Sequence, residues 1–226
     1  MIAFTLYYIF NNYIINDKMG TKKIALFGAT TSVGQCILNE ALARGHEVTA
    51  IVPDVNEVTA EHDKLKVVEG FIIDPQDVKA EVEDHDVVIN AECPSPDNTR
   101  GFYEGTQSFI KGVKEAGVKR VIVVGWAPDG LSDYNSNETT STKDWRAISE
   151  AYGNALALYQ KEENIEWSYS HPVTYIETEI KGDNTPQVID SLNNSNNNIS
   201  FEDYAIALLD EVEKNKHLQE LFAVTC

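Results

Sequence analysis

The feature that most constrains this chain is a short apolar strand pattern that ends at a glycine-spaced turn. Residues 23–34 read KIALFGATTSVG. The pattern predicts a buried strand that stops at Gly28 and a helix that follows at once. The first amides of such a helix lack intrahelical partners, and with the helix dipole they form an anion site suited to a pyrophosphate. Glycine-spaced turns also serve plain packing, so a ligand needs independent support.

Extended and helical patterns alternate along the rest of the chain. We predict strands over residues 24–27, 47–52, 66–68, 86–90, 120–124, 167–170 and 221–224. We predict helices after the glycine turn, over 99–116 and 144–163, and from Ser200 onward. This alternation predicts a single-domain α/β protein, a doubly wound parallel sheet with helices on both faces.

Right-handed crossovers in such a sheet place the functional groups along one edge. The Gly28 turn and the strand ends at Val52, Asn90, Val124 and His171 are expected at the carboxyl edge. Ligands of these sheets bind there, where the strand order reverses. Further candidate binding residues on this edge are Ala91, Glu92 and Gly125.

Charge and cysteine content limit the classes of binding partner and the cellular compartment that we expect. The formal net charge of -18 repels nucleic-acid phosphates and anionic membranes, so we expect neither as a partner. The three cysteines are odd in number and suit no metal site, which favours a cytoplasmic protein without metal. Cys93 is either a structural small apolar residue or a reactive thiol. The chain is expected to be a monomer or a homodimer.

Two segments fall outside the repeating pattern. Residues 1–20 form an N-terminal extension, and the domain covers 21–226. Residues 2–10 are apolar but too short to span a bilayer, and they lack the flanks of a secretory signal. We interpret the extension as non-essential, with a peripheral membrane contact as the alternative. The polar stretch 126–142 is long enough for a lid or binding loop.

Taken in order, several motifs resemble one known family. From residue 22 onward the chain is similar to the atypical short-chain dehydrogenase/reductases. Within them it is closest to the NAD(P)H-binding group of NmrA-like regulators, biliverdin reductase B-like flavin reductases and bacterial proteins named NAD-dependent epimerases. The matching motifs are Gly28-Ala29-Thr30 with Val33-Gly34, residues 37–52, Asp74-Pro75, residues 86–89, residues 116–120, Val123-Val124-Gly125, and Ser200 with residues 202–205.

The resemblance implies a Rossmann fold with bound NAD(H) or NADP(H). It implies hydride transfer between the nicotinamide and an unidentified small acceptor, with a flavin or quinone-like compound as one option. The alternatives are a non-catalytic, NmrA-like dinucleotide-binding or sensor protein, and a drifted protein that binds no dinucleotide. The turn residues that the resemblance assigns to the cofactor are Gly28, Thr30, Thr31, Ser32, Val33 and Gly34.

The turn departs from the family pattern at one position. The family reads Gly-Ala-Thr-Gly-x-x-Gly, and here Thr31 replaces the middle glycine. If that residue has a left-handed torsion, threonine costs roughly 1–2 kcal/mol. The Thr31 hydroxyl offers compensation if it bonds a phosphate oxygen.

Two further departures concern the adenosine end. Where relatives often carry an arginine for the 2′-phosphate, this chain has Pro53 and then Asp54. An acid at this distance prefers a free ribose 2′-hydroxyl and so slightly favours NAD(H), whereas Pro-Asp is also an ordinary turn opener. The family's Gly-Asp pair appears as Gly70-Phe71. Phe71 either stacks on adenine or packs in the core.

Catalytic groups are weakly marked. None of the ten tyrosines has a lysine four residues later, so the usual tyrosine–lysine pair is absent. His171, at the end of a predicted strand, and Tyr152, beneath the predicted lid, are the candidates for proton transfer. Lone histidines are more often structural. Trp126 either fills the nicotinamide or substrate space or anchors its loop.

Overall fold

The computed structural model describes residues 20–126, 142–172, 175–176, 187–189 and 199–225. The proposed extension lies outside these residues except for Gly20, as does most of the polar stretch 126–142. Within the described residues, no helix is both long enough and apolar enough to cross a membrane.

Eight strands of the described chain form one sheet with the order β3-β2-β1-β4-β5-β6-β10-β8. All neighbours are parallel except β8, which pairs antiparallel with β10 at one edge. The strands are β1 (Lys23–Phe27), β2 (Glu47–Val52), β3 (Leu65–Glu69), β4 (Val87–Asn90), β5 (Arg120–Val124), β6 (Glu166–Pro172), β8 (Gln187–Ile189) and β10 (Glu220–Thr225). Two short strands, β7 (Tyr175–Ile176) and β9 (Ile199–Ser200), pair separately.

In the described part of the chain five α-helices cover the sheet, and polar side chains cap several of their starts. Thr31, Asp74 and Ser200 each accept a hydrogen bond from an amide in the first turn that follows. The helices are α1 (Ser32–Ala43), α2 (Pro75–Val82), α3 (Thr99–Ala116), α4 (Thr142–Tyr159) and α5 (Phe201–Lys214).

The sheet separates two apolar cores. On one face the buried side chains of α1 and α5 pack against alternate strand residues such as Ile24 and Leu26. On the other face α2, α3 and α4 cover Ala25 and Phe27, whose ring meets Phe109 edge-on. Burial on both faces explains why the central strands read as continuous apolar runs. The doubly wound Rossmann fold is therefore confirmed.

The predicted elements differ from the structure mainly at the edges. The helix α2 was not predicted, because its eight residues present only Val78 and Val82 as a short apolar face. The antiparallel strand β8 also gave no recognisable pattern. The helix α4 ends at Tyr159, four residues before the predicted end. His171 lies inside β6 instead of ending it.

A buried ion pair joins the start of β5 to the carboxyl-terminal turn of α5. The Arg120 guanidinium donates to Glu211 Oε1 at 2.6 Å and to Ser168 Oγ at 2.7 Å, and Glu211 Oε2 lies 2.7 Å from His217 Nδ1. Both partners of the pair are almost fully buried. Since Arg120 opens β5, this network lies at the edge of the sheet opposite the glycine turn.

Replacing Arg120 tests how much this network stabilises the fold. Arg120→Met leaves the Glu211 carboxylate buried without its cation, so we expect a loss of about 3–5 kcal/mol in unfolding free energy. The matched control is Lys114→Met, which breaks an exposed pair with Glu162 and should cost less than about 1 kcal/mol. Urea denaturation of both variants measures the difference. Equal losses would contradict a structural role for the buried pair.

Candidate functional site

The site is built where β1 and β4 lie side by side and their crossovers leave in opposite directions. This is the point where the strand order reverses, and it leaves a crevice at the carboxyl ends of the two strands. The Ala91 amide donates to the Phe27 carbonyl at 3.0 Å, which holds the two strand ends together. The glycine turn and the residues after β4 therefore face each other, as predicted.

Two glycines of the turn leave no room for a side chain. Gly28 has φ of +77°, and a Cβ there would lie 2.5 Å from the Ala91 carbonyl carbon and oxygen. A Cβ on Gly34 would lie 1.9 Å from the Gly28 carbonyl oxygen. The backbone thus folds tightly on itself and on β4, which requires glycine at both positions.

The backbone of Thr31 is extended and not left-handed. Its φ of -69° and ψ of 156° are extended, so the condition for left-handed strain is not met and threonine fits this position without that cost. Its hydroxyl donates to the Gly28 carbonyl at 2.9 Å and accepts from the Gly34 amide at 3.0 Å. The Ala91 carbonyl lies 3.3 Å away as a second acceptor. The hydroxyl is therefore committed to the helix cap and not turned toward a phosphate.

The amides that remain open are those of Ser32 and Val33, at the first two positions of α1. Neither amide has a hydrogen-bond acceptor among the described residues. Ser32 is exposed, and Thr30 is partly exposed beside it. These open amides at a helix start form a cradle for an anion, and we call Gly28–Gly34 the glycine cradle.

The residues that follow β4 form the opposite wall of the crevice. The buried Asn90 side chain accepts from the Glu92 amide at 3.1 Å and donates to the Tyr159 hydroxyl at 3.4 Å. The Asn90 side chain therefore holds the backbone of Ala91 and Glu92 in position. Burial raises the pKa of Glu92.

At the end of β2 the structure shows one of the two predicted roles. The Asp54 carboxylate accepts from the amide and the side chain of Asn56 at 2.9 and 2.8 Å, and it caps the short turn Val55–Glu57. These bonds lower the pKa of Asp54. Asp54 is thus a turn opener. Its contact with a ribose stays a prediction, and Pro53 lies exposed beside it.

Phe71 does not pack in the core. Its side chain is 44% exposed, just beyond the carboxyl end of β3. The neighbouring Ile73 is 49% exposed, and Ile72 is partly buried against the α2–α3 core. Core packing is therefore wrong for Phe71, because the loop turns Ile72 inward in its place. An exposed ring at this edge suits stacking on a base.

Packing against a tyrosine ring requires glycine at position 125. A Cβ there would lie 1.8 Å from Tyr169 Cε1, so the buried tyrosine ring occupies the space. The Tyr169 hydroxyl donates to the Tyr152 carbonyl at 3.2 Å, which links β6 to α4. No sequence pattern signals this pair, because a glycine opposite an aromatic ring on another strand is a tertiary match.

The two candidate acids have different settings. His171 is 3% exposed, its Nδ1 lies 3.3 Å from the Pro172 carbonyl, and burial lowers its pKa. It is therefore a neutral histidine near pH 7. Tyr152 is nearly buried, packs edge-on against Phe102 and hydrogen-bonds Cys93. A role of either residue in proton transfer stays a prediction.

Two residues complete the surroundings. Cys93 is solvent-accessible, yet the protein atoms around its sulfur raise the pKa of the thiol, which disfavours a reactive thiolate. The Trp126 ring lies 6.4 Å from that of Trp145, at the start of α4. Trp145 was missed from the sequence because nothing in the helix pattern separates a site-lining tryptophan from a packed one.

The fold and the glycine cradle define a dinucleotide-binding protein of the Rossmann class. A family described as NAD(P)H-binding matches residues 28–215, and the chain belongs to this family. It is 30% identical over 215 residues to YwnB, an uncharacterised protein of Bacillus subtilis (strain 168). The match covers 89% of this chain and 97% of YwnB.

Solved structures show the same architecture. A Bacteroides thetaiotaomicron protein, provisionally named an epimerase, is 32% identical with a TM-score of 0.73, over 91% of this chain and 97% of that one. A Streptococcus pneumoniae TIGR4 protein, provisionally named an NADH-flavin reductase, is 24% identical with a TM-score of 0.71, over 90% of this chain and 99% of that one.

The close approach at Gly28 can be separated from its left-handed torsion. Gly117 has nearly the same φ, +79°, but a Cβ there would meet nothing within 4 Å. We expect Gly117→Ala to cost roughly 1 kcal/mol from the torsion alone. Gly28→Ala should cost about 1–3 kcal/mol more, because the Ala91 backbone must move. Urea denaturation measures the unfolding free energy of both variants. Equal losses would show that the Ala91 backbone accommodates the added Cβ without cost.

Proposed function

We propose that this chain is an NAD(P)-binding oxidoreductase that passes hydride between a nicotinamide cofactor and a small acceptor. The observation that carries the proposal is the glycine cradle, in which Gly28 packs against the Ala91 backbone too closely for a Cβ and the Ser32 and Val33 amides at the start of α1 have no acceptor among the described residues. The family membership supports a nicotinamide cofactor. The hydride chemistry is supplied by the cofactor when it is bound.

The chain's own residues hold the two ends of the cofactor. The amides of Ser32 and Val33 would bind the diphosphate, where the dipole of α1 adds to their donor strength. The exposed Phe71 ring would stack on the adenine. Thr31 acts indirectly, since its hydroxyl keeps the cradle in shape before any ligand arrives.

Two aromatic pairs lie on the elements beside which we place the acceptor. Trp126 and Trp145 lie together where β5 ends and α4 begins, and Phe102 of α3 packs against Tyr152 of α4. Such rings suit a flat acceptor such as a flavin or a quinone-like compound. The provisional name of the Streptococcus pneumoniae protein points the same way. Hydride transfer to such acceptors depends chiefly on proximity.

A non-catalytic, NmrA-like sensor is the second candidate. It is favoured by the neutral, buried His171 and by the missing tyrosine–lysine pair. Both candidates share the cofactor site and differ only in turnover. For either, we infer a cytoplasmic protein from the cysteine content, and we expect a monomer or a homodimer.

Titration of the purified chain with NADH and NADPH tests both candidates. Nicotinamide fluorescence reports binding, and a panel of flavins and quinones reports turnover. Binding with turnover supports the oxidoreductase, and binding without turnover across the panel supports the sensor. If neither nucleotide binds, both proposals are wrong.

Phe71 offers a sharper test of cofactor placement. Phe71→Ala should weaken NADH binding roughly five- to tenfold, because a base–aromatic stack contributes about 1 kcal/mol or more. Ile73→Ala is the matched control, since Ile73 is an equally exposed apolar residue on the same loop and should leave the affinity unchanged. Isothermal titration measures both. An equal effect of the two variants would remove Phe71 from the site.

The residue after β2 tests the choice of cofactor. Pro53→Arg supplies a guanidinium where the 2′-phosphate would lie, so we expect the NADPH-to-NADH affinity ratio to rise about tenfold. Thr59→Arg is the control, because it adds the same charge elsewhere in the exposed β2–β3 connection. An equal shift in both variants would mean a general charge effect and not a ribose contact.

A further inference from the structure

A partly buried acid lies against the glycine cradle. A Cβ built on Gly28 would lie 2.7 Å from the Glu92 amide nitrogen, so the Glu92 backbone packs directly against the first glycine of the cradle. That amide is fixed by its 3.1 Å hydrogen bond to Asn90 Oδ1. The side chain of Glu92 therefore starts from a fixed point beside the proposed diphosphate site.

The Glu92 carboxyl has little to stabilise its negative charge. Among the described residues it makes no hydrogen bond and no ion pair, and burial alone sets the direction of its pKa shift, upward. Its ionisable neighbours are Cys93 on its own loop and, beyond the thiol, Tyr152 on α4 and Tyr204 on α5. The glycine cradle on the opposite wall contains no ionisable side chain. None of these groups is a cation.

We propose that Glu92 takes up a proton when the dinucleotide binds, so that the diphosphate meets a neutral carboxylic acid. This inference rests on the proposed cofactor site. A carboxylate and a diphosphate in one partly desolvated crevice repel each other, and protonation of Glu92 removes that repulsion. The proton comes from solvent and stays on the carboxyl, and no bond of the cofactor changes.

The direction of the pH dependence follows from linkage. Burial raises the pKa of Glu92 in the free chain, and an anionic ligand raises it further. Below the free-chain pKa the acid is already neutral, so the affinity does not depend on pH. Between the free and bound pKa values each binding event takes up a proton, and Kd rises by up to about tenfold per pH unit. Binding is therefore weaker at alkaline pH.

NADH binding between about pH 5.5 and about pH 8.5 tests the proposal, because NADH carries no group that titrates there, unlike the 2′-phosphate of NADPH. We expect Kd of the native chain to rise about tenfold or more over this range. Glu92→Gln should bind with a nearly constant Kd, close to the acid-pH value of the native chain. Asp97→Asn removes an exposed acid from the same loop and should keep the native slope.

A second measurement does not depend on the variant folding. Calorimetric titration of the native chain in two buffers of different ionisation enthalpy counts the protons taken up with NADH, and uptake is expected at the pH where Kd rises most steeply. No uptake, or equal slopes in the native chain and Glu92→Gln, would overturn the proposal and leave cofactor binding intact. Equal slopes of Kd against pH would mean that another group, such as His171, takes up the proton. Absence of NADH binding at every pH would instead overturn the proposed function, and this inference with it.

Discussion

The contact between the β1–α1 turn and the end of β4 is the constraint on which the rest of the site depends. Gly28 can approach the Ala91 backbone only because it lacks a Cβ and takes a positive φ. That approach lets the Thr31 hydroxyl cap α1 and leaves the Ser32 and Val33 amides pointing out of the helix. The cradle is thus made of backbone, and side chains shape it from outside.

A backbone cradle suits a chain with a net charge of -18. The overall field of such a protein opposes an anionic ligand, so affinity must come from short-range donors that act inside the crevice. Amides at a helix start act over such short distances, and they need no cationic side chain. The same reasoning draws attention to Glu92, because the backbone of this partly buried acid packs against Gly28 of the cradle.

Thr31 and Phe71 show how local interpretation goes astray at a site. Thr31 was judged by the residue type that the family carries there, yet an extended backbone with a side-chain cap fits the same turn without strain. Phe71 is apolar enough for the core, yet the loop after β3 has three successive apolar residues and buries the middle one more than its neighbours. In both cases the local path of the backbone decided the outcome, and composition does not encode that path.

The sequence by itself determined the alternating elements, the doubly wound sheet and the location of the cradle, because buried parallel strands and a glycine turn leave strong local patterns. Only the tertiary structure decided which groups meet: Gly28 with Ala91, Gly125 with Tyr169, and Trp126 with Trp145. These partners are far apart in the chain, and their fit depends on distances of a few tenths of an ångström. Neither periodicity nor spacing carries that information.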